Sequence, residues 1–583
     1  MAKVQKLVIV GGVAGGASAA AKARRCSEDV EIIMYEKDRD ISYANCGLPY
    51  YLSGVIKKRE DLLITSPALF RRRFRVEART RREVTRIKRE QKTVVIRHLE
   101  TGSLEEETYD RLVLAPGSRA VVPKVPGVDL PPVFTLKTLD DTDRIFRFLE
   151  ANNPRRAVVV GGGLIGVEAL ENLVLRGLET TVVEFAPQML TFLDWEMAEI
   201  VRRHVEAKGV RLHLSEGLKA VEKHDGAFVV KTDHDRTIPA DLVLMAVGIR
   251  PSVELAREAG LVIGASGGIR VNEYMQTSDP DIFAAGDCVE TINLVTGKPT
   301  LTPMGSAANK QGRAAGANAL GRSLAVKGFL GTVIVKVFDL TVAKTGLSER
   351  EAVDEGFSPL VTYVHPGHHA GYFPGAKTLN IKTVADEKSE RLLGAQVIGE
   401  EGVDKRIDVF ATALYNRMTQ EDLLQLDLAY APPYSAARDP VIIAGALGQN
   451  YFRGDWRPVP PGELLEKRRR GEPVTLIDVR TSKEVTRAGK IPGAVHIPID
   501  DLRSRMRELD PERETILYCA TGLRSYVGER ILSQQGFKRV QTLTGGIFSW
   551  MFELEPGGLG ERHQPFFGGF FNPLRPVPSP DLP

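Results

Sequence analysis

Cysteine is scarce in this chain of 583 residues. The four cysteines, Cys26, Cys46, Cys288 and Cys519, form neither a C-x-x-C pair nor a regular ladder of spacings. This scarcity argues against a disulfide scaffold and against a cysteine-rich metal site, and it fits a reducing compartment. We therefore expect a cytoplasmic protein without a bound metal.

Long apolar runs and an excess of one charge are also missing. No stretch is hydrophobic enough to span a membrane, and the first residues enter a strand and a glycine turn rather than a signal peptide. Lys and Arg number 78 against 75 Asp and Glu, a net charge of +3. We therefore expect neither a membrane nor a nucleic-acid partner. A chain of this length exceeds a single hydrophobic core, so three or four domains are expected.

A glycine-rich turn follows the first predicted strand. The apolar run at residues 6–10 leads into Gly11-Gly12-Val13-Ala14-Gly15-Gly16 and an alanine-rich helix. Glycines let the backbone approach a pyrophosphate, which the helix N-terminus then stabilises. Glu36 ends the next strand and can accept hydrogen bonds from ribose hydroxyls. Because Val13 replaces the middle glycine of G-x-G-x-x-G, this motif alone would be weak evidence.

A second, complete motif occurs about 150 residues later. The run Gly161-Gly162-Gly163-Leu164-Ile165-Gly166 follows an apolar strand, and Glu184 ends the strand after it. Two such units form an internal repeat and predict two bound dinucleotides. An acidic side chain at Glu184, with no arginine directly after it, favours a free ribose hydroxyl over a 2′-phosphate. The second nucleotide is therefore predicted to be NADH, with NADPH the weaker candidate.

Three further strand ends carry turn signals. They are Leu114-Ala115-Pro116-Gly117, Ala246-Val247-Gly248 and Ala284-Ala285-Gly286-Asp287. Asp287, placed at a strand terminus, can fix the hydroxylated chain of a flavin.

Together these features resemble the flavoprotein pyridine nucleotide–disulfide oxidoreductases over about residues 1–450. The resemblance implies an α/β protein with two Rossmann-like domains and an α+β dimerisation domain, acting as a homodimer. It places FAD in residues 1–120 and 270–325, NADH in residues 121–269, and the dimer contacts in residues 326–450. The implied cofactor-binding residues are Gly11, Gly12, Gly15, Gly16, Glu36, Ala115, Gly117 and Asp287 for FAD, and Gly161, Gly163, Gly166, Glu184 and Gly248 for NADH.

The segment Ser42-Tyr43-Ala44-Asn45-Cys46-Gly47 selects a branch of that family. A C-x4-C pair would need a second cysteine at position 51, which is Tyr51. Single-cysteine members cycle through a sulfenic acid or form a mixed disulfide with a small thiol. Peroxidase-like members carry a histidine in the first glycine turn, and this chain has none there.

The segment around Cys46, together with helix residues 20–25, resembles the coenzyme A disulfide reductases. That resemblance implies a coenzyme A site in which cationic groups suit phosphate oxygens and amides suit the pantetheine arm. The implied site residues are Ser18, Lys22, Arg25, Ser42, Asn45, Asn309 and Arg438.

Two tyrosines of the dimerisation domain are implied to be catalytic. The resemblance places Tyr372 and Tyr430 across the dimer interface, near the flavin and the cysteine of the other protomer. A phenol there can donate a proton to a leaving thiolate. Ordinary packing is the alternative interpretation of both side chains.

The composition changes after Gly445. Residues 451–460 are predicted to be a linker, residues 461–556 resemble a rhodanese domain, and the Gly- and Pro-rich tail 557–583 is predicted to lack regular structure. The loop from Cys519 to Arg524 is expected to wrap backbone N–H groups around a thiolate or persulfide. Its C-x4-R spacing is one residue tighter than the C-x5-R of related phosphatases, which favours sulfur over phosphate. A rhodanese fold used only for docking is the alternative.

These observations predict an FAD-dependent, NADH-oxidising reductase of coenzyme A persulfide, polysulfide or disulfide. Cys46 would attack the sulfur–sulfur bond, and the rhodanese domain would relay sulfane sulfur through Cys519 and Arg524. Two alternatives stay open: an NADH peroxidase or oxidase that works through a Cys46 sulfenic acid, and a sulfane-sulfur carrier or redox sensor. Cys26 and Cys288 are predicted to be structural.

Overall fold

The computed structural model describes residues 4–224 and 227–555, which divide into two compact units. One unit comprises residues 4–186 and 209–329, and the other comprises residues 187–208 and 330–555. The predicted α/β architecture, with two Rossmann-like domains, an antiparallel domain and a C-terminal α/β domain, is confirmed. The tail 557–583 lies outside the described residues. Within the described chain, no helix is both long and apolar enough to cross a membrane.

The first Rossmann-like domain is built on five parallel strands. Its central strands are apolar and buried, as expected for a parallel sheet covered by helices. In sheet order the strands are Ile282–Ala284, Arg111–Leu114, Lys6–Val10, Glu31–Tyr35 and Val76–Arg79. Its helices are Ala14–Cys26, Leu48–Ser53, Pro67–Phe74 and Gly305–Asn318, with 3₁₀ turns at Asn45–Gly47 and Arg59–Leu62.

The second Rossmann-like domain repeats this arrangement. Its parallel strands, in sheet order, are Arg211–Leu214, Glu179–Glu184, Arg156–Val160, Leu242–Met245 and Val133–Thr135. Helices Leu139–Asn152 and Leu164–Leu175 belong to this domain. In both domains the glycine turn therefore joins a central strand to a helix at the carboxyl edge of the sheet, where ligands of doubly wound folds bind.

Smaller antiparallel elements complete this unit. They are the three-stranded sheets Arg82–Lys88, Thr93–His98, Leu104–Thr108 and Leu218–His224, Ala227–Thr232, Thr237–Ala240, the pair Ser118–Ala120 and Ile249–Pro251, the mixed sheet Ile269–Arg270, Val289–Ile292, Pro299–Leu301, and helix Glu254–Glu258.

The second unit begins with a five-stranded antiparallel sheet. Its strands, in sheet order, are Val333–Val337, Leu340–Gly346, Leu392–Gly399, Leu379–Asp386 and Pro359–Val364. Helices Glu349–Asp354, Val403–Tyr415, Gln420–Leu424 and Pro440–Phe452 belong to this domain, and helix Trp195–Ala207 is part of the same unit.

A fully buried lysine ties helix Trp195–Ala207 to this sheet. The ammonium of Lys382 lies 2.9 Å from Asp194 and 2.7 Å from Glu349, and it also contacts Glu196. The phenol of Tyr363 donates to Glu196 from the neighbouring strand. Three carboxylates thus share one buried cation, and removing that cation would leave uncompensated charge in the interior.

The C-terminal domain is a five-stranded parallel sheet. Its strands, in sheet order, are Pro458–Val459, Val540–Leu543, Glu514–Tyr518, Val474–Asp478 and Val495–His496. Its helices are Pro461–Arg469, Ser482–Ala488, Leu502–Arg505 and Leu523–Gln534, with 3₁₀ turns at Ile499–Asp501, Met506–Glu508 and Gly546–Ser549.

The stretch predicted to be a linker contributes residues to the domains on either side of it. Residues 451–452 end helix Pro440–Phe452, and Pro458–Val459 form the edge strand of the C-terminal sheet. Trp456 is buried and its indole N–H donates to Thr542. The prediction of a linker over residues 451–460 was therefore wrong, because burial of an aromatic side chain outweighs the local preference of proline for irregular backbone.

A docking segment, residues 544–552, joins the C-terminal domain to the rest of its unit. The Thr544 hydroxyl accepts a hydrogen bond from the Tyr363 N–H at 3.1 Å, and the Phe552 ring stacks on Trp195 at 5.5 Å. The Arg203 guanidinium donates to the Met551 carbonyl at 2.8 Å. The C-terminal domain is thus packed on the antiparallel domain through polar and aromatic contacts.

Candidate active sites

The first glycine turn is shaped by close backbone contacts. Gly11 has a φ of +92°, and a Cβ on Gly16 would lie 1.8 Å from the Gly11 carbonyl oxygen. The Gly12 N–H donates to the Glu36 carboxylate at 2.7 Å, which fixes the carboxylate beside the turn. Burial raises the pKa of Glu36. This cradle fits the pyrophosphate and ribose of a dinucleotide.

The second glycine turn has the same construction. Gly161 has a φ of +107°, a Cβ on Gly166 would lie 2.0 Å from the Gly161 carbonyl oxygen, and the Gly162 N–H donates to Glu184. A Cβ on Gly163, by contrast, would have no atom within 4 Å. Val13 occupies the corresponding place in the first turn, so that departure from the motif costs the fold nothing.

The remaining strand-end residues lie beside these turns. A Cβ on Gly11 would meet the Ala115 carbonyl oxygen at 2.1 Å, and one on Gly161 would meet that of Ala246 at 2.4 Å. Gly117 and Gly248 have φ values of +68° and +106°. Gly15 is packed against the Ala285 carbonyl.

Asp287 is held by two donors. Its carboxylate accepts from the Ser118 hydroxyl at 2.6 Å and from the Lys137 ammonium at 3.1 Å. The Lys137 carbonyl in turn accepts from the Asn45 amide at 3.3 Å. Lys137 thereby connects the predicted flavin-binding aspartate to the cysteine loop. Sequence reasoning missed Lys137, because it follows an edge strand without any motif.

The Cys46 loop is held in a strained conformation. Ser42 has a φ of +44°, which is uncommon for a residue other than glycine. Its N–H donates to the Gly12 carbonyl at 2.8 Å, and its own carbonyl accepts from the Ile64 N–H at 2.9 Å. These bonds attach the loop to the first glycine turn. Cys46 follows in the 3₁₀ turn Asn45–Gly47 and is exposed.

Glu168 gives the Cys46 site its electrostatic character. Partial burial of the thiol and the nearby Glu168 carboxylate raise the pKa of Cys46, while Lys137 opposes them. Burial also raises the pKa of Glu168 to about 7, against a stabilising hydrogen bond from Tyr50. The Tyr50 hydroxyl donates to Glu168 at 3.5 Å. Glu168 can therefore hold or release a proton near neutral pH. Sequence reasoning missed this residue, although its position two residues after Gly166, beside the second glycine turn, could have identified it.

The predicted coenzyme A residues fall into three groups. Ser18, Lys22 and Arg25 lie along one face of helix Ala14–Cys26, and the Asn309 amide donates to the Ser18 hydroxyl at 2.9 Å from helix Gly305–Asn318. The two helices approach closely because Gly312 and Gly316 lie against the backbone of the first helix. Ser42 and Asn45 lie in the Cys46 loop, and Arg438 is exposed in the second unit.

Tyr372 and Tyr430 are brought together. Their hydroxyls lie 3.0 Å apart, although the side chains are 75% and 49% exposed. The hydrogen bond to Tyr430 raises the pKa of Tyr372. Two exposed tyrosines joined by a hydrogen bond between their hydroxyls are compatible with proton transfer and are poorly explained by core packing.

A buried arginine, which sequence reasoning missed, supports both tyrosine loops. Arg406 is 1% exposed and donates to the His368 carbonyl at 2.8 Å and to the Asp439 carboxylate at 2.9 Å. Ser435 donates to the same carboxylate at 2.8 Å. Removing one member of such a buried pair typically costs about 3–5 kcal/mol of stability. Arg406 had no sequence signal, since its partners lie 33 and 38 residues away.

Cys519 lies at the end of a strand in the C-terminal domain. It follows strand Glu514–Tyr518, and its sulfur accepts from the Gly522 N–H at 3.1 Å and from the Ser525 hydroxyl at 3.8 Å. Gly522 has a φ of +108°, which turns its N–H toward the sulfur. Cys519 is 1% exposed, so the loop wraps a largely enclosed thiol.

Arg524, at the far end of this loop, is paired with a residue that sequence reasoning missed. Both of its terminal nitrogens donate to the Glu484 carboxylate at 2.7 Å. This pairing lowers the pKa of Glu484 to about 2 and raises that of Arg524. Glu484 could have been noticed from the sequence as the acidic member of a capping box, because it follows the helix cap Thr481 by three residues.

The other two cysteines have no such surroundings. Cys288 is fully buried, its thiol lies 3.4 Å from the Ala285 carbonyl, and burial raises its pKa to about 12. Cys26 is partly exposed at the end of its helix.

Comparison with known families assigns all the folded domains. Residues 5–308 match the pyridine nucleotide-disulphide oxidoreductase family, residues 332–441 match its dimerisation domain, and residues 460–553 match the rhodanese-like domain. The chain therefore belongs to the pyridine nucleotide-disulphide oxidoreductases and carries a C-terminal rhodanese-like domain.

Particular relatives refine this class. Bacillus anthracis CoADR-RHD, solved in its reduced form, is 42% identical with a TM-score of 0.91 over 94% of this chain and 98% of its own. The NAD-dependent persulfide reductase from A. fulgidus is 37% identical with a TM-score of 0.88 over 94% and 100%. Coenzyme A disulfide reductase of Staphylococcus haemolyticus is 33% identical over 76% and 99%, and a Methanocaldococcus jannaschii protein named NADH oxidase is 36% identical over 75% and 97%.

Replacing Glu168 by Gln should lower the pKa of the Cys46 thiol. The carboxylate is ionised at the pH where a thiol of raised pKa titrates, so its negative charge opposes thiolate formation, and the amide removes that charge. The pKa should stay above that of a free thiol, because partial burial of the sulfur, the larger cause of the rise, is unchanged. The pH dependence of iodoacetamide alkylation at Cys46, followed by peptide mass spectrometry, measures it.

The exposed Glu90 provides a matched control, since Glu90→Gln changes the net charge equally. Alkylation of Cys46 should follow the wild-type profile in that variant. An unchanged or higher Cys46 pKa in Glu168→Gln would contradict the electrostatic role assigned to Glu168.

Proposed function

We propose that this protein is a homodimeric, cytoplasmic, FAD-dependent reductase that oxidises NADH and reduces coenzyme A persulfide, polysulfide or disulfide through Cys46. The observation that carries the proposal is the single exposed Cys46 in a loop hydrogen-bonded to the first glycine turn, with Tyr51 where a resolving cysteine would stand. Relatives named coenzyme A disulfide reductase and persulfide reductase support the sulfur substrate class.

The dinucleotide sites of the proposal rest on the two glycine cradles. FAD and NADH, when bound, supply hydride transfer and deliver electron pairs to sulfur. The protein contributes the orienting carboxylates Glu36 and Glu184 and the aspartate Asp287. These residues bind and position; the bond-breaking chemistry at sulfur falls to Cys46.

Cys46 is the proposed nucleophile. Its thiolate attacks the sulfur–sulfur bond of the substrate, so a mixed disulfide forms and a thiolate leaves. The hydroxyls of Tyr372 and Tyr430 are joined by a hydrogen bond. These two tyrosines are proposed to protonate the leaving thiolate across the dimer interface. Glu168, with a pKa near 7, is proposed to hold a proton beside Cys46 between turnovers.

Coenzyme A is proposed to bind along helix Ala14–Cys26. Lys22 and Arg25 offer cations to the phosphates, and Ser18 with Asn309 offers polar groups between them. Ser42 and Asn45 would position the pantetheine arm in the Cys46 loop, and Arg438 is proposed as a further phosphate ligand.

Cys46→Ser should abolish NADH-driven reduction of sulfur substrates. A hydroxyl at this position is a far weaker nucleophile than a thiolate, and we expect the rate to fall at least about a thousand-fold. Steady-state NADH oxidation with coenzyme A persulfide, coenzyme A disulfide and polysulfide measures the loss. NADH-driven reduction of an artificial dye should persist, because it needs only the two nucleotide sites. Near-normal persulfide reduction by the variant would refute the proposed mechanism.

The nucleotide preference is a second expectation. Glu184 repels a 2′-phosphate and can bond a 2′-hydroxyl, and the next residue, Phe185, offers no cation. Loss of such a pairing is worth about 1–3 kcal/mol, so kcat/KM should favour NADH over NADPH by about ten- to a hundred-fold. The ratio should shrink in Glu184→Gln. Equal efficiency with both nucleotides in the wild type would remove the assignment.

The rhodanese-like domain is proposed to supply sulfane sulfur to the reductase. Cys519 can take up sulfur as a persulfide, which its N–H-lined loop stabilises. The domain has no source of electrons of its own, whereas the Cys46 site has one. Holding the Cys519 and Cys46 sites in one chain raises the local concentration of the sulfur carrier at the Cys46 site.

Cys519→Ser should therefore separate two groups of substrates. Reduction of preformed coenzyme A persulfide should stay within about twofold of wild type, whereas NADH oxidation with bulky or less reactive sulfur donors should fall about tenfold or more. Cys26→Ser is the control for loss of a thiol outside the rhodanese-like domain. If Cys519→Ser kept the wild-type rate with every donor, the rhodanese-like domain would serve another partner or none.

An NADH oxidase or peroxidase is the second candidate, because one relative bears the name NADH oxidase and an exposed cysteine can form a sulfenic acid. Oxygen and peroxide consumption measured beside persulfide reduction distinguishes the two. The proposal above requires persulfide or disulfide to be the better substrate in kcat/KM.

A further inference from the structure

The mouth of the Cys519 loop carries a cation that is already neutralised. Arg524 and Glu484 form a two-pronged ion pair, with both nitrogen–oxygen distances at 2.7 Å. Their side chains are 32% and 26% exposed, so the pair lies at the boundary between the loop and solvent. Two parallel hydrogen bonds of this kind fix geometry as well as charge.

Glu484 is itself held in place by a second set of bonds. Its carboxylate accepts from the Thr481 N–H at 2.9 Å and from the Thr481 hydroxyl at 2.8 Å, which completes the cap of helix Ser482–Ala488. Its pKa of about 2 keeps it ionised at every physiological pH. The carboxylate is therefore a fixed charge at the loop rather than a mobile one.

The neighbouring guanidinium is neutralised in the same way. Arg480 is 2% exposed and bonds the Asp478 carboxylate through two nitrogens, at 3.0 and 2.6 Å. On the outer side of the loop, Leu523 is 62% exposed and presents an apolar side chain. An incoming sulfur donor thus meets the paired Arg524 and the exposed Leu523, while Arg480 is buried and already neutralised.

This arrangement bears on which donors can deliver sulfur. Thiosulfate is a dianion and releases sulfite, which also carries two negative charges, so its reaction benefits from an unpaired cation near the loop. A persulfide with an uncharged organic arm carries one negative charge and releases a thiolate with one, so its reaction depends less on that cation. Placing a dianion beside the Glu484 carboxylate adds like-charge repulsion.

We propose that Glu484 sets the donor specificity of the Cys519 loop, by occupying Arg524 and so selecting persulfides with uncharged arms over thiosulfate. The inference rests on the proposed sulfur-transfer role of Cys519. In the transfer itself, the Cys519 thiolate attacks the outer sulfur of R–S–S⁻. A new sulfur–sulfur bond forms, the donor's sulfur–sulfur bond breaks, and R–S⁻ leaves with its electron pair. With thiosulfate the leaving group is sulfite, and no external oxidant or reductant enters either reaction.

The test compares two donors on the full-length protein without NADH, with cyanide as sulfur acceptor and Cys519→Ser as background. Pantetheine persulfide has an uncharged arm, and thiosulfate is a dianion. In Glu484→Gln we expect kcat/KM for thiosulfate to rise about tenfold, mainly through KM, since one partly solvated charge has been removed. The value for pantetheine persulfide should change less than about threefold. The gain should shrink at high salt, because exposed charges are screened.

Three further variants serve as controls for Glu484→Gln. Glutamine can still cap the helix beside Thr481, so Glu484→Gln preserves the fold. Glu484→Asp, which retains the charge, should keep the wild-type donor ratio, and Glu484→Gln combined with Arg524→Gln should lose the thiosulfate gain. Glu508→Gln, which breaks the exposed pair with Arg505 on the same domain, is the matched control and should leave the ratio unchanged.

Several results would overturn the inference. They are equal use of both donors by the wild type, a parallel change for both donors in Glu484→Gln, or no Cys519-dependent transfer from either donor. NADH oxidation with coenzyme A persulfide, measured on the same preparations, reports on the reductase separately. Loss of that activity would refute the proposed function, while the donor ratio alone decides the role of Glu484.

Discussion

The structure depends on one repeated constraint, the close approach of a strand end to the start of the next helix. At Gly16 and Gly166 a single added carbon would lie within about 2 Å of a carbonyl oxygen. In each turn the N–H of the second glycine is bound by an acidic side chain from the next strand, Glu36 or Glu184. Because the same glycine turn occurs twice, both nucleotide sites lie at equivalent edges of their sheets. The Cys46 loop is hydrogen-bonded to the first of these turns.

Most of the fold could be predicted because its signals are local. In each Rossmann-like domain the second glycine of the turn and the strand-end glutamate that binds it are only 24 or 22 residues apart, and the two turns agree in detail. The linker prediction failed for a non-local reason: Trp456 is buried against Thr542, 86 residues away. Composition around residues 451–460 gave no sign of that partner.

In the candidate sites, too, local features could be predicted and long-range contacts could not. Cys46, Asp287, Cys519 and the paired tyrosines were recognisable from short motifs. The residues that hold and charge these groups were not, because Lys137, Arg406 and Glu484 act through partners that only the fold brings near. Motifs thus point to candidate reacting groups, whereas the electrostatic surroundings of those groups depend on tertiary structure.

Cys46 and Cys519 have opposite surroundings. Partial burial of the sulfur and the nearby Glu168 carboxylate raise the pKa of Cys46, which disfavours its thiolate. Cys519 is enclosed, and its sulfur accepts hydrogen bonds from an N–H and a hydroxyl. Such donors suit the persulfide that we propose for this loop.

Packing of the rhodanese-like domain links the Cys519 loop to the rest of its unit. The docking segment, residues 544–552, contacts Tyr363 and Trp195, and its Ile547 N–H donates at 2.9 Å to the carbonyl of Cys519 itself. The segment that fixes the domain therefore also supports the Cys519 loop. Rotation of the whole domain would break these contacts, so the proposed sulfur transfer from Cys519 favours a small mobile carrier over movement of the domain. A carrier with an uncharged arm would not compete with the Glu484 carboxylate for Arg524 at the mouth of the loop.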